Sequence, residues 1–201
     1  EMKGAFSDPI RHIFHNIFSG LLPGSTYAHE SGGDPACIPD LSYEQFCQFH
    51  ADHYHPSNGI FLVYGDAPLE DELNFLQNRF LAAYTAPGRQ TVIEEGSPAR
   101  EPVFVSASYA VDSSDISGKT FLAVGTNVAT IAMRKENTAL QIIANILFNS
   151  DGSPLKNAIV SSGLCKDFGG FFMATSCSRT IMITYLVGSD ANHRDTFLEL
   201  Y

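Results

Sequence analysis

Basic charge is scarce in this sequence. Its 201 residues hold 12 Lys and Arg against 22 Asp and Glu, a net of −10. Nucleic-acid binding rests on Lys and Arg contacts to phosphate, so this balance argues against such a partner. Long apolar runs are also missing. The longest buried-looking stretch covers residues 60–64, far short of the roughly 18 residues that a membrane helix needs, and no membrane partner is expected. Cysteine is sparse: Cys37, Cys47, Cys165 and Cys177, with no C-x-x-C pair. In a chain this long that count does not make a disulfide framework, and free thiols in a reducing compartment are expected. Several catalytic signatures are absent. There is no G-x-S-x-G elbow, no P-loop, no G-x-G-x-x-G, and neither H-E-x-x-H nor H-x-x-E-H.

What is present suits a folded domain. Hydrophobic residues make up 44% and charged residues 17%, enough apolar surface for a core and too little charge for disorder. The acidity is uneven. Residues 1–87 hold 3 basic and 11 acidic residues, and residues 88–201 hold 9 and 11. Such a surface favours cationic peptides through long-range attraction, although plain solubility is the better account of the charge alone. The opening Glu1-Met2-Lys3-Gly4 and a close on Phe197 to Tyr201 without a helix stop signal lead to the expectation of a piece of a longer chain, with any targeting signal elsewhere.

Periodicity predicts the elements. Ile10, Ile13, Phe14, Ile17 and Phe18 share a helical face, begun by Asp8-Pro9 and ended by Gly20 and Pro23-Gly24. Ser42 with Gln45 three residues on predicts a capped second helix, stopped by His55-Pro56. Residues 59–65 read as a strand buried on both faces. A third helix carries Leu69, Leu73, Leu76, Phe80 and Leu81. Residues 85–102 lose all periodicity and read as a linker. Strands are expected over 103–110 and 120–128, a long helix near 133–149, and a short helix capped by Ser153-Pro154 and ending at Gly163. A hairpin follows over 171–177 and 180–187, then a last interrupted helix capped by Asp190 or Asn192. These elements imply an α+β layer with a largely antiparallel sheet.

The residues with chemical potential are modest. His12 and His15, and His50 and His53, are spaced to share helix faces, which suits metal ligation. No third ligand completes either pair, and the simpler reading is packing and hydrogen bonding around a helix end. Ser31-Gly32-Gly33-Asp34 allows a backbone anion nest, with a tight structural turn as the plainer account. The acidic run Glu70-Asp71-Glu72 fits the first turn of a helix, and Phe171-Phe172-Met173 fits a core.

Several segments, taken in order, resemble one family. Glu1-Met2-Lys3-Gly4 resembles an N-E-M-K-G segment. Ser31-Gly32-Gly33-Asp34-Pro35 resembles an S-G-G-D-P loop, and Cys37 to Leu41 an I-P-x-L segment. Phe49-His50 through His53-Tyr54-His55-Pro56-Ser57-Asn58 resembles F-H-x-x-Y-H-P-S-N. Ser153-Pro154-Leu155 through Ser162-Gly163-Leu164 resembles an S-P-x-x-x-x-L-I-x-S-G-L helix. All belong to the presequence-protease branch of the M16 (pitrilysin-like) zinc metallopeptidases.

The resemblance implies LuxS/MPP-like metallohydrolase units, with helices on one face of a largely antiparallel sheet. Residues 1–87 would be the rear of the first, catalytic unit, 88–102 a linker, and 103–201 the front of the second unit. It also implies a zinc ion held in the parent enzyme by two histidines of an H-x-x-E-H helix and a glutamate matching Glu1, here the third ligand. The histidines and the base would lie upstream. No zinc is expected on this fragment, which would be inactive alone. In the parent, short unstructured peptides and the remaining parts of the chain would be the partners. The alternative is a piece of a non-catalytic M16-like structural or peptide-binding subunit. The expected location is cytoplasmic, with the mitochondrial matrix as the alternative.

Overall fold

The computed structural model describes residue 4 and residues 7–201. The chain forms two compact units: Asp34–Ile93, and the residues up to Gly33 together with Glu94–Tyr201. The division therefore falls at 33/34 and 93/94, whereas composition placed a linker at 88–102.

The larger unit is built on a three-stranded antiparallel sheet. Strands β1 (Thr120–Thr130), β2 (Asp167–Met173) and β3 (Arg179–Ser189) run in the order β1-β3-β2. A hairpin, β2–β3, forms where one was expected, but its first strand covers 167–173 rather than 171–177, with Phe171 opposite Ile183 and Gly170 opposite Thr184. β1 lies along the other edge of β3, with Val124 opposite Thr184 and Gly125 opposite Ile183. The central strand is covered on both faces, so its side chains divide by alternation into two cores.

One core holds Leu186, Phe168 and Phe172 of the sheet with Ala144, Phe148, Ile159 and Phe197. Ala144, Phe148 and Ile159 come from two helices between β1 and β2, and Phe197 from the helix after β3. For this purpose α1 is Pro9–Leu21, α2 Tyr43–His53, α3 Leu69–Arg79, α4 Arg134–Phe148, α5 Pro154–Ser161 and α6 Arg194–Leu200. α4, α5 and α6 thus share one face of the sheet. The opposite core joins Ile181, Ile183, Phe171 and Met173 to Phe14, Ile17, Phe18 and Leu22, so α1 covers the second face.

Local chemistry explains α1. The Asp8 carboxylate accepts from the Ile10 N–H at 2.9 Å, and Pro9 occupies the first turn, where its missing donor costs nothing. Its apolar face then docks on β1, where Gly125 permits close approach. A Cβ there would lie 2.5 Å from Cγ2 of Ile17. The return of the chain is pinned to the same region. Thr26 N–H donates to the Glu94 carbonyl at 2.8 Å, and Ala99 N–H to the Leu21 carbonyl at 3.0 Å.

Some expectations are corrected. Residues 103–110 do not form a strand. Their alternation finds no ladder partner; instead Val103 and Val105 lie over Gly20 of α1, and the Tyr109 hydroxyl donates to the Lys119 carbonyl. Ser153 precedes α5 but does not cap it with its side chain, because its hydroxyl accepts from the Ser150 N–H at 2.9 Å. Asp190 likewise accepts from Gly118 N–H at 2.8 Å and makes no cap to the helical turn it precedes.

The unit Asp34–Ile93 holds α2 and α3. The capping box of α2 forms as expected: Gln45 N–H donates to the Ser42 hydroxyl at 3.2 Å, and Ser42 N–H to the Gln45 side-chain oxygen at 2.8 Å. Residues 59–65, expected as a doubly buried strand, are neither paired nor buried. A strand exists only with a neighbour, and the described residues supply none.

Candidate functional site

Glu1, the one position that the resemblance assigns to metal binding, lies outside the described residues. The other candidates can be placed.

His15 and Arg11 sit on one side of α1 and meet Glu30. The Arg11 guanidinium donates to the Glu30 carboxylate from two nitrogens, Nε at 3.4 Å and Nη2 in closer contact. Gly32 N–H donates to the same carboxylate at 3.3 Å. The Arg11 hydrogen bond, helped by Gly32 and by the positive potential of Arg11 and His15, holds the Glu30 carboxyl below the usual carboxylate range against the opposing effect of burial. The glutamate thus occupies the amide that an anion nest would need, and the turn reading of this loop prevails. Gly33 adopts φ +82°, a conformation that favours glycine. Asp34 closes the following turn, accepting from Ala36 N–H at 2.8 Å.

The second histidine group forms a clamp. His55 Nδ1 accepts from Ser57 N–H at 3.1 Å and Gly88 N–H at 3.2 Å. Asn58 spans the same strip. Its amide donates to the Arg89 carbonyl at 2.8 Å, and its side-chain oxygen accepts from Thr91 N–H at 3.1 Å. His53 Nδ1 lies 3.0 Å from the Thr91 hydroxyl, and His50 stacks on Tyr54 at 4.7 Å. Gly88 must be glycine here, because a Cβ would fall 2.3 Å from the His55 ring. The H-P-S-N run therefore fastens residues 88–91 to the end of α2. These rings carry structural hydrogen bonds, as the plainer reading held. The role of Asn58 was missed in the sequence, where an N-G after a proline signals only a turn.

Among the described residues, no three His, Cys, Asp or Glu side chains come together to hold a metal. All four cysteines are free thiols. Burial pushes the Cys165 and Cys177 thiols up, with Asp167 adding to the effect at Cys165 and an offsetting bond from Cys177 to the Arg179 carbonyl. Neither has the lowered pKa of a reactive thiolate. Glu70, Asp71 and Glu72 form the first turn of α3, which suits the positive end of the helix.

A model of the family described as "Peptidase M16 inactive domain" matches residues 40–200. The chain belongs to the peptidase M16 family. Among similar proteins, the presequence protease, mitochondrial, of Mus musculus is 35% identical over 170 residues, covering 84% of this chain and 16% of the relative. That of Schizosaccharomyces pombe is 36% identical over 183 residues, covering 84% and 17%. Protein HypA of Clostridium perfringens is 29% identical over 198 residues, covering 98% and 20%. The chain spans no more than a fifth of the length of these relatives. In structure it resembles a chain of complex III2 from Candida albicans, Inz-5 bound, with a TM-score of 0.71 over 94% of this chain and 44% of that one. At 13% identity this likeness concerns the fold alone, and it agrees with the M16-type α+β architecture. No described helix is long and apolar enough to cross a membrane.

Proposed function

We propose that this chain is part of a zinc-dependent metalloendopeptidase that degrades short unstructured peptides, and that it is inactive by itself. The observation that carries the reading is the run of family segments in one order, from the S-G-G-D-P loop to the S-P…S-G-L helix, within a chain related to presequence proteases over 84% of its length. In this reading residues 1–87 are the rear of the catalytic unit, 88–102 a linker and 103–201 the front of the second unit. Glu1 is the third zinc ligand of the parent. Zinc would there lower the pKa of a bound water and polarise the scissile carbonyl. The described residues offer no ligand set that fits zinc, so no step of that chemistry is derived from them. One carboxylate without partners cannot hold zinc tightly.

The test is elemental zinc analysis of the 201-residue chain with a fluorogenic peptide assay on the same sample. Near-zero zinc and no turnover are expected. One zinc per chain together with peptide cleavage would overturn the inactive-fragment reading.

The second reading is a piece of a non-catalytic M16-like subunit that serves structure or peptide binding. The similarity of fold to a chain of complex III2 from Candida albicans favours it. The upstream coding sequence separates the two: an intact H-x-x-E-H supports the enzyme, and its loss supports the subunit. The parent is proposed to be cytoplasmic. The mitochondrial matrix is the alternative, supported by the names of the presequence-protease relatives, and cell fractionation decides between them.

A further inference from the structure

At one end of the three-stranded sheet, two lysines are brought together. Lys119 immediately precedes β1 and Lys166 immediately precedes β2, and these are the two outer strands. Gly188, near the end of the central β3, lies between them, as the pairs Thr120–Ser189 and Asp167–Val187 require. Neighbouring strands run about 4.8 Å apart, so the two lysines start at roughly twice that separation. The glycines let them converge. A Cβ on Gly188 would fall 2.8 Å from Cδ of Lys166, and one on Gly118 would fall 3.7 Å from its Nζ. The Lys166 stem therefore lies along Gly188, and its ammonium reaches Gly118, the residue next to Lys119. Gly118 and Gly188 adopt φ +60° and +69°, a conformation that favours glycine and keeps the crossing clear of other side chains.

Like charges held side by side repel, and an anion between them relieves the repulsion. Among the described residues, neither lysine makes an ion pair. The acids of the surrounding segments are engaged by backbone amides. Asp190 accepts from Gly118 N–H at 2.8 Å, Asp115 from Ser117 N–H at 2.9 Å, and Asp167 from Phe168 N–H at 2.8 Å. The two lysines line a groove of about 430 Å³ whose apolar walls are Pro9, Val111, Phe121 and Val187. A small cavity of mostly apolar lining with a few convergent polar groups is the usual make-up of a ligand site.

The donors present select the ligand. Phosphate is best held by backbone amides or by the arginine fork. Here the local amides are spent: Gly118 N–H on Asp190, Lys119 N–H on the Ile116 carbonyl at 3.2 Å, and Lys166 N–H on the Val187 carbonyl at 2.9 Å. Two ammonium groups suffice for a carboxylate, and the apolar walls suit a hydrocarbon group attached to it. Asp112, in the same lining, offers an acceptor for a peptide N–H. We propose that this groove binds the C-terminal carboxylate of a peptide whose last side chain is apolar. Lys119 and Lys166 hold the carboxylate, and the walls take the side chain. The site stands on its own residues and needs neither zinc nor turnover.

The test is a titration of the isotope-labelled 201-residue chain with N-acetyl-leucine, followed by two-dimensional NMR. Saturable shifts are expected at the amides of Gly118, Lys119, Lys166 and Gly188. The Kd should be roughly 1 mM, as for a ligand of about a dozen heavy atoms at ordinary efficiency. N-acetyl-leucinamide lacks the charge and should bind at least about tenfold more weakly. Equal binding of the amide overturns the proposal, and so does the absence of saturable shifts. Inorganic phosphate binding as tightly as N-acetyl-leucine also overturns it, because the groove would then be a general anion site. Lys166→Met keeps an apolar stem along Gly188 and removes the charge. Together with Lys119→Met it should abolish saturation, whereas Lys166→Arg should retain binding. Unchanged affinity in the double variant overturns the proposal. Lys119→Gln with Lys166→Gln gives the same reading where methionine lowers the melting temperature. Binding is read at equilibrium without zinc, so an inactive parent whose groove binds defeats only the enzyme reading. An active parent whose groove does not bind defeats only this one.

Discussion

Thr184 offers a substitution that should raise stability. It lies at the middle of β3, fully buried, with Val124 opposite on one side and Gly170 on the other. A Cβ on Gly170 would strike Phe148, which places this layer inside the apolar core that α4 covers. The Thr184 hydroxyl has no hydrogen-bond partner there. An unpaired hydroxyl in such a place costs about 1–3 kcal/mol. Thr184→Val replaces it with a methyl and leaves the branched shape in place. The expected gain is about 1 kcal/mol, or roughly 3 °C in melting temperature. Thr184→Ser keeps the hydroxyl and deletes the methyl, and should lose about 1 kcal/mol. The sequence has no tryptophan, so urea unfolding is best followed by far-UV circular dichroism under reducing conditions. A lower midpoint for Thr184→Val at an unchanged slope refutes the reasoning, because it means that the hydroxyl is bonded in the folded protein.

Three further outcomes are expected. Gly125→Ala should destabilise the larger unit by about 1–3 kcal/mol, since the new Cβ would lie 2.5 Å from Ile17; a neutral midpoint would mean that α1 does not pack on β1. Arg11→Ala should cost about 1 kcal/mol at neutral pH, and the loss should vanish in acid. The sign follows from the lowered Glu30 pKa. The pair stabilises the fold above the normal glutamate range, and that contribution disappears as pH falls through the folded-state value, so the wild-type and variant stability curves should converge at low pH. His55→Ala removes the acceptor of two backbone N–H groups, and limited proteolysis should then cut within 85–93 several-fold faster than in the wild type.

Local signals survived the step from sequence to structure best. Asp8-Pro9 starts α1 and Ser42 with Gln45 starts α2 because both are short-range hydrogen-bond arrangements that the chain makes by itself. The β2–β3 hairpin was legible in part: its second strand fell close to the expected span, whereas its first runs over 167–173 and not 171–177. Residues 59–65 and 103–110 were misjudged because alternation reports which side chains share a face and nothing about whether a neighbouring strand exists. Ser153 and Asp190 stand at the expected N-cap positions, but their side chains make no cap hydrogen bond. Each side chain is a good acceptor, and a nearer or better-aimed N–H, of Ser150 or Gly118, takes it. The metal role proposed for Glu1 rests on resemblance alone, because a single glutamate has no local signature of its own.

The backbone bond between Thr26 and Glu94 makes Asp34–Ile93 an excursion from a domain that is otherwise continuous in space. Closing a flexible loop costs only about 0.6 kcal/mol more for each doubling of its length. The sheet and α1 are therefore almost indifferent to how many residues the excursion contains. Insertions there should change what the excursion can reach while leaving the domain that carries it about as stable as before.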